Sequence, residues 1–160
     1  MDYHIIYTTD AIREYIGDAG IIAFDFETSP DDAWRDEPKA ALDAHKAHIV
    51  GISLSVSEGS AVYIPLAHKV GDNAADPVSV MEYLREAVFE NPKVVKVAHN
   101  LSFEAMFLYA LGIVVCEPCY DTIAAAQLTL KSKFEFRNLS DSGLKLLSTS
   151  LFGANMPDFN

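Results

Sequence analysis

The chain alternates between short apolar runs and polar connections, and one junction is abrupt. Residues 21–24, "IIAF", are uninterrupted apolar, and Asp25 and Glu27 follow at once with Phe26 between them. A short apolar run without alternation reads as a central strand, here 21–27, apolar on both faces until the acids appear. Upstream, His4–Tyr7 reads as a first short strand. Asp10 reads as the N-cap of a helix to about Ile16, with Gly17 and Gly20 bracketing the next turn. Downstream, "SPDDAWRDEPKAALDAHK" is polar with two prolines, a long connection with a helical turn near Ala40. "HIVGISLSVS" and "SAVYIPLAH" are two strands separated by "EGS", a hairpin signal, which gives an antiparallel three-stranded start.

The second half changes period. Val80, Leu84 and Val88 recur at helical spacing, and "KVVKVAH" reads as a further strand. In "NLSFEAMFLYALG", Phe103, Met106, Phe107, Ala110 and Leu111 follow a helical face that Gly112 closes. "IVV" reads as a short strand, and "DTIAAAQLTL" as a helix capped by Asp121. "NLSDSGLKLLSTSLFG" reads as a last helix, with Leu144, Leu147 and Leu151 on one side and Gly153 at its end. No internal repeat interrupts the series. The order predicts an α/β fold, a mixed sheet flanked by helices.

At 160 residues and 50% hydrophobic, the chain suits one globular domain. No apolar run approaches the roughly 20 residues of a membrane span, and the start lacks a basic region ahead of an apolar one. A cytoplasmic protein is the expectation. The net charge of −11 is the wrong sign for a long phosphate track, but suits a collector of divalent cations as well as plain solubility. Cys116 and Cys119 form a C-x-x-C pair, which can be half a zinc site or a redox motif. With no second pair, and with Tyr120 and Asp121 following, two free thiols near a strand end are expected.

On a strand, residues i and i+2 share a face, so Asp25 and Glu27 project together while Phe24 and Phe26 face the other layer. Two close carboxylates repel, and one is pushed towards protonation. A bound divalent cation removes the conflict, and hard cations such as Mg²⁺ favour carboxylate oxygens. The plainer reading is a strand end reaching solvent. Glu104 falls in the first turn of the helix after Asn100, where an acid gains from the helix dipole; the functional reading makes it a third carboxylate at the same site.

Taken in order, these segments resemble the 3'-5' proofreading exonuclease domain of family A DNA polymerases, the bacterial DNA polymerase I type. That domain is a DEDD exonuclease of the ribonuclease H-like superfamily. "AFDFETSP" resembles its first motif, a D-x-E on the first core strand, and "VGISLSVSEGSAVYIPLAH" the two strands that follow. "VAHNLSFEAMFLYALGI" resembles the second motif, N-x-x-[FY]-D, and "YDTIAAAQLTL" and "NLSDSGLKLLSTSLFG" the next helices. The match runs along nearly the whole chain. It implies a ribonuclease H-like mixed β-sheet flanked by α-helices, with residues 1–160 an exonuclease-like domain incomplete at its C-terminus.

The resemblance also implies an activity: two-metal hydrolysis of the 3'-terminal phosphodiester of DNA, with two Mg²⁺ or Mn²⁺ ions, releasing nucleoside monophosphates. Asp25 would bridge both ions, Glu27 would bind the one carrying the attacking water, and Glu104 would assist on the second. Thr28, His99 and Asn100 would line the mouth and touch the terminal nucleotide. His99 also has a plain turn role, and Asn100 an N-cap role. The implied partners are a single-stranded 3' end of DNA and a polymerase domain in the same longer chain, with no membrane. Two departures stand out. The family has Asp where this chain has Glu104, whose extra methylene moves the carboxylate by roughly 1 Å or more, enough to cost about a hundredfold in rate. The family's last motif, Y-x-x-x-D or H-x-x-x-D, is not found, because Asp158 has Ala154 four residues before it. The resemblance therefore leaves open an inactive scaffold domain and a related exonuclease acting on RNA. The residues alone also allow a metal-free binding module.

Overall fold

The computed structural model describes residues 2–134 and 143–154. They fall into two compact units, 1–120 and 121–160. Six strands, β1 Asp2–Ile5, β2 Ile21–Pro30, β3 Ala47–Ser57, β4 Ser60–Pro65, β5 Val95–Ala98 and β6 Cys119–Asp121, form one sheet in the order β1-β4-β3-β2-β5-β6. Helices α1 Thr9–Ile16, α2 Pro77–Leu84 and α3 Leu101–Ala110 lie in the first unit, α4 Thr122–Phe134 and α5 Leu144–Phe152 in the second. The mixed sheet with helices is the architecture the pattern predicts.

The central strand is one-sided in its burial, where the apolar run suggested two buried faces. Ile22, Phe24 and Phe26 are buried, and Ile21, Asp25 and Glu27 are exposed. Strand pleating turns alternate residues to opposite faces, and only one face here receives the core. Phe24 and Phe26 meet Phe89, with ring centroids 5.2 and 6.1 Å away, and each other at 5.5 Å. Phe89 comes from a π turn, Arg85–Phe89, that continues α2. Val80, Leu84 and Val88 are buried, as their spacing predicts, and the wider turn brings Phe89 inward beside Val88.

The hairpin β3–β4 forms as expected, turning at Gly59 with φ 76°. With β2 antiparallel to β3 on its other side, the expected three-stranded antiparallel start is present. The first strand adds to it parallel to β4, pairing His4 with Val62. Alternation marks a segment as extended, but does not name its neighbour. The cap of α1 is Thr8, whose hydroxyl accepts from the Ala11 amide at 3.2 Å; Asp10 instead pairs with Arg13. Residues 113–115 form no strand. The outer edge of β5 is taken further along, where the Lys96 amide donates to the Pro118 carbonyl, and Cys119–Asp121 supplies the sixth strand. Both cysteines are free thiols.

In α3 the buried residues are Glu104, Phe107 and Leu108, while Met106 and Leu111 are exposed. The expected face is rotated by about one position, because an acid lies on the inward side. In the second unit, Asp121 Oδ1 accepts from the Ile123 amide at 2.9 Å, the capping role expected of it. Leu147 is buried, and Gly153, with φ 65°, closes α5. The remainder of the expected last helix, 138–142, and Asp158 lie outside the described residues.

Asp76 caps α2, accepting from the Ser79 amide at 3.0 Å and its hydroxyl at 2.6 Å, which holds its carboxyl below the usual range. A depressed carboxyl stabilises the fold above its unfolded value, near 3.9, and that contribution is lost as pH falls through the lower folded value. Acid melts of Asp76→Asn are therefore expected to change less between pH 5 and pH 2 than those of the parent. Equal pH slopes would remove Asp76 from the balance.

Candidate metal and nucleic-acid site

The site is built where β2 changes its kind of partner. On one side β2 pairs antiparallel with β3, matching Asp25 with Ser53 and Glu27 with Gly51. On the other it pairs parallel with β5, matching Ala23 with Val97. Carrying that register on by two residues sets His99 beside Asp25, and the two do interact electrostatically. The ends of parallel strands at such a change of direction are where α/β sheets leave an open crevice.

Asp25 and Glu27 share the exposed face of β2, as their spacing predicts. Burial by surrounding protein pushes the Asp25 carboxyl above its usual value, the Glu27 charge pushes it further, and His99 draws it back. The conflict read from the sequence is therefore present in the fold. A register shift between Glu27 and Thr28 bends the strand there, a device that re-aims side chains. Beyond it, the Thr28 hydroxyl donates to the Ala41 carbonyl at 2.7 Å, tying the 3₁₀ turn Ala40–Leu42 to the strand.

Asn100 has φ 75° and ψ 54°, the left-handed region that asparagine tolerates best after glycine. It stands at the N-cap position without capping; its Oδ1 accepts from the Ser102 hydroxyl at 2.9 Å. That turn points the chain from β5 straight into α3, where Glu104 is almost fully buried on the inner side of the first turn. Among the described residues, no group of three or more His, Cys, Asp or Glu side chains is close enough to hold an ion. The structure sets Asp25 and Glu27 on one face of β2 with His99 near enough to Asp25 to act on its charge, and among the described residues these and Glu104 do not form a ready-made ligand set. An all-oxygen pair with a strained carboxyl fits a hard divalent cation.

Two features of the site escape sequence reasoning. An open groove of about 750 Å³ lies between the 42–45 connection and α3, lined by Leu42, Ala44, Ser102, Met106 and Tyr109. Tyr63 leans across Gly51 next to Glu27, where partial burial, and after it the charge of Glu27, push its phenol above the usual value. The signal for the second is a glycine in the middle of a strand, diagonal to an aromatic on the next.

The sequence profile of 3'-5' exonuclease domains matches residues 3–156. The chain belongs to the 3'-5' exonuclease family. The resemblance read from the motifs is thereby borne out. DNA polymerase I of Pseudomonas aeruginosa is 29% identical over 157 residues, covering 94% of this chain and 16% of the polymerase. The chain thus spans about a sixth of that relative's length. Among solved structures, Brucella melitensis NrnC with bound Mg²⁺ superposes with a TM-score of 0.64 at 17% identity, over 99% of this chain and 65% of that one. Escherichia coli RNase D, an exoribonuclease involved in structured RNA processing, gives 0.60 at 19%, over 98% and 35%. At these identities the structures share the fold of the exonuclease family. Among the described residues, no helix is long and apolar enough to cross a membrane.

Proposed function

We propose that the chain is a proofreading 3'-5' exonuclease domain acting on single-stranded 3' ends of DNA and joined to a polymerase domain in a longer chain. The observation that carries it is the placing of Asp25 and Glu27 on one face of β2 at the mouth of the sheet, with the Asp25 carboxyl pushed up by partial burial and by the Glu27 charge. Asp25, Glu27 and Glu104 would hold two Mg²⁺ or Mn²⁺ ions. When bound, such ions activate water and stabilise the attacking and leaving oxygens of a phosphodiester. Without that positive charge, the acid pair of a chain with net charge −11 repels the phosphate. His99, Asn100 and the backbone at Thr28 would orient the terminal nucleotide. Exposed Tyr109, Met106 and Leu42 in the adjoining groove offer bases a stacking surface in place of a basic track.

The test is to supply the protein with Mn²⁺ and 5'-labelled single-stranded DNA or RNA of one sequence. Stepwise shortening from the 3' end of DNA, with mononucleotide products, is the expected result. Shortening of RNA alone would favour the RNA-directed reading. No cation-dependent shortening of either would favour the scaffold reading, for which the Glu at position 104 is the sequence argument.

A further inference from the structure

Beside the acid pair the sheet carries a second polar cluster. In the cross-strand register, Asp25 opposes Ser53 and Ser53 opposes Tyr63, while Glu27 opposes Gly51. Tyr63 does not stand upright over Ser53. A Cβ built on Gly51 would lie 1.8 Å from the Tyr63 hydroxyl and 2.3 Å from its Cζ, so the phenol fills the gap the glycine leaves. Directly paired residues have Cβ positions about 5 Å apart, which puts the hydroxyl alongside the Glu27 side chain. Its oxygen is 2.6 Å from His68 Nε2.

His68 is itself fixed. Its amide donates to Asn73 Oδ1 at 2.7 Å, and Asn73 Nδ2 donates to its carbonyl at 2.9 Å. The same loop is pinned to β3 and to the end of β4, since the Leu66 amide donates to the Val50 carbonyl at 2.8 Å and the Ala74 amide to that of Pro65 at 2.7 Å. An aromatic covering a strand glycine needs none of this. Phenylalanine gives the same cover.

We propose that the Tyr63–His68 pair is a positioning device for Glu27, its hydroxyl held over Gly51 so that it fixes how the Glu27 carboxylate is presented to a cation shared with Asp25. This rests on the reading of Asp25 and Glu27 as cation ligands. Groups that orient a ligating carboxylate typically change metal affinity 10- to 100-fold when removed. Tyr63→Phe keeps the ring over Gly51 and deletes only the hydroxyl, so packing and positioning separate.

The experiment is Mn²⁺ titration by calorimetry of the parent, Asp25→Ala, Tyr63→Phe and His68→Gln, with thermal melts of each in chelator. The expected result is affinity about tenfold or more weaker in Tyr63→Phe, a smaller loss in His68→Gln, and an unchanged melt for Tyr63→Phe. Parent-like affinity in Tyr63→Phe overturns the proposal. So does a weakened affinity that comes with a lowered melt, which would assign the effect to packing. If Asp25→Ala loses binding and Tyr63→Phe keeps it, the cation site stands and only the positioning role falls. If the parent binds no Mn²⁺, or Asp25→Ala binds as well as the parent, the cation reading fails and the positioning role fails with it.

Discussion

Replacing Asp25 by Asn is expected to weaken divalent-cation binding by about a hundredfold or more, and at the same time to raise the melting point of the cation-free protein. The first effect follows if Asp25 touches the ion, since even groups one step removed from a metal cost 10- to 100-fold. The second follows from the direction of its pKa. A carboxyl whose folded value is raised pays for ionisation in the folded state, so its charge destabilises the fold above that value and ceases to do so as pH falls through it. Asn keeps the shape and removes the charge. The gain is small, under about 1 kcal/mol, because the side chain is exposed at the open face and water screens the repulsion. Calorimetry with Mn²⁺ and thermal melts in chelator measure the two effects separately. Retained binding would take Asp25 out of the site; an unchanged or lowered melt would show that no strain is stored there. Opposite signs for binding and stability are what a site built for function at the expense of the fold should give.

Phe89→Ala is expected to cost about 3–5 kcal/mol, a large share of the roughly 5–15 kcal/mol that holds a domain together. Phe89 is fully buried and touches Phe24 and Phe26, the inward residues of the strand whose outward residues are Asp25 and Glu27. Truncation would leave a cavity directly beneath the acid pair. Urea unfolding followed by circular dichroism should show a lower midpoint with an unchanged slope. A loss below about 1 kcal/mol would mean that the π turn collapses to refill the space.

The elements of this chain were legible where a pattern is local. The run at 21–24 marked β2, "EGS" marked the hairpin, and Val80, Leu84 and Val88 marked a buried helical face, because each rests on the period of its own segment. Pairing partners beyond the antiparallel three-stranded start were not legible. Nothing in His4 or Val62 says that β1 lies parallel to β4, and a strand assigned to 113–115 lost to Cys119–Asp121 because sheet edges are settled by neighbours distant in sequence. Buried polar residues carry no signal in the pattern. Lys96 in "KVVKVAH" is wholly buried, its ammonium donating to the Asn91 carbonyl at 2.7 Å and reaching the Cys116 sulfur at 3.8 Å. Glu104 rotated the expected face of α3 for the same reason. Of the candidate site, Asp25 and Glu27 could be read from spacing, and His99 and Asn100 from the strand-to-helix turn. Tyr63 and His68 could not, because their importance depends on a ring lying across another strand.

The parallel pairing of β2 with β5 has a consequence for how the protein comes together. The β3–β4 hairpin can close as soon as its own residues exist, but Ile21 reaches Val95 only after all the intervening chain has closed into a loop. Contacts of such long range carry the largest closure entropy and tend to form slowly. His99 is delivered beside Asp25 by that same pairing. The two acids thus sit on a strand that can pair early with β3, while the turn that completes the mouth arrives with one of the slower events. A chain caught before that event would hold its hairpin and its acid pair but have no crevice.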